Sequence, residues 1–256
     1  MTAIPRGRTR RTALVTATCA LAVTGAMALT GCGGGDDPDA GTNGVGKLPA
    51  GRIESRTRAA ADGAAAVRLS GTVVTSGRTY RLDMRLKADG GTGSVTSQGV
   101  AFRLLRIGQE LYLKAGADFW DHADGNGNGN GGGGGDGAVG KLGGKYVKVP
   151  QGDPAYKKFS GFTDKDVLLD GLLTLHGTLA TEGHHDQAGV PTIRITGDKG
   201  SGGTLDVSLR GTPYPLRLVR AGGAGTLRFS DWGRNFALTE PATSDTVDYG
   251  KQLPAS

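Results

Sequence analysis

The side chains best suited to chemistry here are two cysteines and four histidines. His184-His185-Asp186, with Glu182 close by, gathers the residue types that hold metals. Adjacent histidines on a strand point to opposite faces, however, and a solvated hairpin turn accounts for the cluster better than a metal site. His122 and His176 stand alone, and no His-Glu-x-x-His or Gly-x-Ser-x-Gly pattern pairs a nucleophile with a base. Gly140-Lys141 and Gly144-Lys145 lack the spacing and the Ser or Thr of a phosphate loop. Gly131 to Ala138 fits a Gly-Gly-x-Gly-x-Asp calcium repeat, but polyglycine matches it almost automatically and such repeats bind in tandem. Asp124, Asn126 and Asn128 could open an EF-hand loop, yet Gly135 stands where the bidentate glutamate belongs. The expectation is therefore a non-enzymatic chain with no metal and no cofactor.

The cysteines carry a clearer message. Met1 to Arg11 is basic and free of acids, Thr12 to Leu29 is an uncharged run rich in Ala, Leu, Val and Thr, and Leu29-Thr30-Gly31-Cys32 follows at once. These are the three parts of an export signal. The last four residues resemble a bacterial lipobox, which implies diacylglycerol on the Cys32 sulfur and cleavage after Gly31. A membrane-spanning helix is the alternative, but 18 residues dominated by Thr and Ala sit at the lower edge of spanning length. Thr9-Arg10-Arg11 fits a twin-arginine signal and a chance arginine pair equally well. Cleavage removes Cys19, so the mature chain has no internal disulfide. Residues 1–31 are thus read as signal peptide and 32–51 as a flexible tether, because Gly33 to about Leu48 has hardly an apolar side chain to pack.

The formal charge of +6 also changes on cleavage. Loss of Arg6, Arg8, Arg10 and Arg11 from thirty basic residues leaves 26 against 24 acidic, close to neutral, so a nucleic-acid partner is not expected. Hydrophobic residues make up 37% of the chain against 47 glycines, so a core can form among many glycine-rich loops.

The elements follow from periodicity. Arg56 to Ala61 contains good helix formers, with Gly63 at its end. Tyr80, Leu82, Met84 and Leu86 then alternate with Arg81, Asp83, Arg85 and Lys87, a strand with one face in the core. Val67 to Thr75 precedes it, Ala88-Asp89-Gly90-Gly91 reads as the following turn, and Val95, Val100-Phe102-Leu104 and Leu111-Tyr112-Leu113 extend the meander. Ile193 and Ile195, then Leu205, Val207 and Leu209, Leu216-Leu218, and Leu227-Phe229 repeat the style. A helix lies between the halves, capped by Thr163 or Asp164, with Val167, Leu168, Leu172 and Leu175 on one side and Gly177 at its end. The tract Asp121 to Gly137 is read as a disordered insertion within one domain.

Glu110-Leu111-Tyr112-Leu113-Lys114, Phe119-Trp120, Lys145-Tyr146-Val147, Gly189-Val190-Pro191, Tyr214-Pro215-Leu216 and Phe229-Ser230-Asp231-Trp232-Gly233 follow the lipobox in an order that resembles the actinobacterial LppX/LprA/LprG lipoproteins. The likeness covers about Arg52 to Tyr249. It implies an α+β, mostly β fold: a curved antiparallel half-barrel of about ten strands covered by a few helices, like the LolA and LolB carriers. The expected division is one half-barrel domain over 52–250, with the insertion at 121–140 and a tail at 251–256. The resemblance further implies that Leu82, Met84, Leu86, Phe102, Leu104, Leu205, Val207 and Leu209 face inward, as candidates to line an apolar cavity holding a lipid or glycolipid.

Two functions remain open. One is an extracytoplasmic carrier, held to the cell membrane by the Cys32 lipid, that shields a lipid from water. The other is a cavity-free adaptor that binds a partner protein of the envelope.

Overall fold

The computed structural model describes residues 38–117, 119–120 and 142–248. The export signal, Cys32, the insertion at 121–140 and the 251–256 tail lie outside the described residues.

Twelve strands form a single open, curved sheet in the order β12-β6-β5-β4-β3-β2-β1-β11-β10-β9-β8-β7. The first meander comprises β1 (Ala66–Thr75), β2 (Arg78–Lys87), β3 (Gly90–Ser97), β4 (Val100–Ile107), β5 (Glu110–Ala115) and β6 (Tyr146–Val149). The second comprises β7 (Leu179–Gln187), β8 (Val190–Gly197), β9 (Thr204–Ser208), β10 (Pro215–Val219) and β11 (Gly225–Ser230). Antiparallel pairing of β1 with β11 fuses the two. β12 (Thr246–Asp248) pairs parallel against β6, the single parallel pairing among the described residues.

Cross-strand register shows how the core is laid down. Leu69, Met84, Gly93, Leu104, Leu113 and Val147 lie opposite one another in one row, and Leu82, Val95, Phe102 and Ala115 form the next. Side chains directly opposite share a face, so the period-2 pattern of β2 propagates sideways into a continuous apolar inner face. The chain runs from β6 to β7 at the opposite edge, and that connection contains α2 (Pro154–Ser160) and α3 (Lys165–Leu172). With α1 (Ala50–Asp62) they bury Ile53, Ala61, Ala155, Phe159, Leu169 and Leu172 in the same core as the strands. Gly91 explains how closely this layer can approach: a Cβ there would stand 3.0 Å from the Thr163 carbonyl oxygen between α2 and α3.

Several expectations need correction. The sheet's twelve strands include β12, too short to show a period, and Gly90 and Gly91 belong to β3 rather than to the turn. In α3 the Asp164 carboxylate caps as expected, accepting from the Val167 amide at 3.1 Å. Val167 itself, placed on the apolar side by its type, is 64% exposed, and Leu169 takes the buried position. The helix ends at Leu172, well before Gly177. The far part of the expected tether also packs: Val45 is buried in a 3-10 turn, and the Asn43 amide group donates to the Ser208 and Gly211 carbonyls at 2.9 and 3.0 Å. A buried Val45, the Asn43 amide group, the Asn43 backbone N–H donating to the Leu209 carbonyl at 2.9 Å and Asp39 beside His184 hold a segment whose composition reads as a linker.

Candidate functional site

On the inner face, the rows nearest the β1–β2 and β3–β4 turns are not fully covered by helices. A cavity of about 330 Å³ opens there, lined by Tyr80 from β2, Ser97 from β3, Val100 and Phe102 from β4, Phe159 from α2 and Phe119, among others. Tyr80, Ser97, Val100 and Phe102 share the inward parity of Leu82, Val95 and Leu104, one or two rows further out. The rings stand in two sets: Phe102 lies 5.2 Å from Phe119 and 5.4 Å from Phe159, and Tyr80 lies 5.9 Å from Phe162, in tilted or edge-on arrangements that aromatic pairs favour. Four of the six phenylalanines of the chain line this one groove.

Of the eight residues expected to line a cavity, Phe102 lines the groove. Leu82, Met84, Leu86, Leu104, Leu205, Val207 and Leu209 are each at most 2% exposed and belong to the packed core. Alternation assigns residues to a face but carries no information on depth along the strand. Tyr80, Phe119, Phe159 and Phe162 were not singled out as site residues, because they come from three separate elements and meet only in the fold. The clustering of scarce aromatics was the one signal available: aromatics are 5% of the chain, and Phe159 and Phe162 fall three residues apart.

The charged groups divide by face. Two cations, Arg78 and Lys158, and no acid line the groove. On the outer face a buried carboxylate, Asp206, accepts from Arg194 at 2.6 Å and from Gln187 at 2.8 Å, which neutralises it without creating a binding site. His184 and His185 sit in β7, opposite Ile193 and Thr192 respectively and hence on opposite faces, and His184 pairs with Asp39 at 3.0 Å. Among the described residues no cluster of His, Cys, Asp and Glu could hold a metal ion. Also among them, no helix is long and apolar enough to cross a membrane.

An open, curved, almost wholly antiparallel sheet whose inner face is partly roofed by helices, with an aromatic groove left at one end, is a half-barrel. Among solved structures the chain is similar to the lipoprotein LprF from Mycobacterium bovis, with a TM-score of 0.52 and 17% identity over 75% of this chain and 97% of that one. LppX from Mycobacterium tuberculosis matches at a TM-score of 0.41 and 16% identity over 73% and 96%. An uncharacterised conserved protein from Thermus thermophilus matches at a TM-score of 0.36 and 12% identity over 78% and 98%. No protein-family model matches the chain, and no curated protein does. The shared fold with LprF is the one the resemblance implied.

Proposed function

We propose that this protein is an extracytoplasmic lipoprotein, held to the cell membrane by a lipid on Cys32, that binds a lipid or glycolipid without chemically altering it. The observation that carries the reading is the aromatic groove, which joins an apolar wall to an open rim on a fold shared with a lipoprotein. Burying each methylene against such a wall is worth about 0.8 kcal/mol, so an acyl chain can be held by shape and apolarity alone. At about 330 Å³ the groove lies at the small end of ligand sites, which favours one chain, or one end of a larger lipid, over full enclosure of a multi-chain glycolipid.

The test is native mass spectrometry of the chain from Gly33 onward, prepared without detergent. A discrete added mass released by organic solvent as lipid supports the carrier. A bare polypeptide mass counts against it and favours the adaptor. That second reading draws on the tight packing of the seven deeper residues and on β7, a nine-residue strand paired on one side only, whose free edge could take a partner strand.

A further inference from the structure

The groove is apolar along its wall but electrically one-sided at its rim. Arg78, at the start of β2, and Lys158, on α2, line it from two separate elements, and no carboxylate lines it with them. Among the described residues neither cation forms a salt bridge. The nearest aromatic contact of Lys158 is the Phe159 ring, 5.8 Å from its ammonium and itself part of the wall. Four other cations on the first meander are matched by acids: Arg68 with Asp83, Lys87 with Asp89, Lys148 with Glu110 and Arg106 with Asp164. Two cations with no acid facing them beside the aromatic groove place a net positive potential where a ligand's polar end would emerge.

We infer that the ligand of this groove is an anionic amphiphile, an acyl chain ending in a carboxylate or phosphate, whose chain lies on Phe102, Phe119 and Phe159 while its head group pairs with Arg78 and Lys158. The inference rests on the lipid-binding reading and adds the charge of the head group. Arg78 presents a planar fork suited to two oxygens of such a group, and Lys158 a point charge. Both cations are exposed, so each contact is modest and salt-sensitive.

The test compares binding of dodecanoate, dodecanol, acetate and inorganic phosphate to the chain from Gly33 onward by titration calorimetry at pH 8 and low salt. Dodecanoate is expected to bind about tenfold more tightly than dodecanol, the combined effect of two exposed charge contacts, with acetate and phosphate not detected. The Arg78→Gln, Lys158→Gln double variant should bring dodecanoate down to the dodecanol level, with the unfolding midpoint unchanged. Equal binding of acid and alcohol by the unaltered chain would overturn the head-group assignment and leave the carrier reading standing. Binding of neither amphiphile would overturn both. Phosphate binding as tightly as dodecanoate would replace the amphiphile with a simple anion site.

Discussion

Arg68 and Asp83 meet diagonally across β1 and β2 on the outer face, where the guanidinium donates twice to the carboxylate, at 2.9 and 2.8 Å. These hydrogen bonds hold the Asp83 carboxyl below its ordinary value, with partial burial opposing them. A carboxyl depressed by folding contributes stability above its unfolded pKa and loses it as pH falls through the folded value. Asp83→Asn should therefore cost less than about 1 kcal/mol in urea unfolding at pH 7, since both side chains are 40% or more exposed. The difference should close as the pH drops below the carboxylate range. Gly93 sets a harsher limit on the inner face, where a Cβ would stand 2.2 Å from the Asp83 carbonyl oxygen and 2.6 Å from the Met84 sulfur. Gly93→Ala should destabilise by about 3 kcal/mol in the same measurement, and a cost below 1 kcal/mol would show that β3 can move away from β2.

The helical layer depends on a buried cation. Arg106 occupies an inward position on β4, 8% exposed, and donates to the Thr163 hydroxyl at 3.2 Å, the Thr163 carbonyl at 3.0 Å and the Gly108 carbonyl at 2.9 Å. Together with Gly91 it fixes the corner between α2 and α3. Arg106→Met keeps the volume but strands those acceptors, so it should lower thermal stability by about 2–3 kcal/mol and speed amide exchange at the corner ahead of the strands. Element by element, legibility in the sequence followed the strength of the local pattern. β2 was plain because four apolar and four charged residues alternate without a break. α2 has seven residues and only Ala155 and Phe159 buried, too short for a helical stripe, although Asp153-Pro154 is a cap followed by a first-turn proline. Val167 misled because a single apolar residue in a short helix does not determine which side is buried. The groove was the least legible feature, since it is defined by where the helical layer stops short and no residue records that on its own.

At the scale of the whole molecule, the sheet is open, ending among the described residues at β12 and β7, and its helical roof covers the deep rows but not the outermost ones. Packing the deep rows supplies the stability of a chain expected to lack an internal disulfide, and the outer rows are left open as the groove. A ligand that binds only the folded protein stabilises it by about 2.7 kcal/mol at a hundredfold excess over Kd. For a domain of this size that corresponds to a rise in Tm of roughly 5–10 °C. Dodecanoate should produce that rise in the unaltered chain. Ser97 sits on the inner face at the groove, where a large ring would occupy the space of a chain while leaving the Leu82–Val95–Phe102 row beneath it in place. Ser97→Trp should leave the unliganded Tm within about 2 °C, as expected of a change outside the packed core, and abolish the rise. A Ser97→Trp protein still stabilised by dodecanoate would place the chain elsewhere on the molecule, whereas no stabilisation of either protein would shift the weight of argument to the exposed edge of β7.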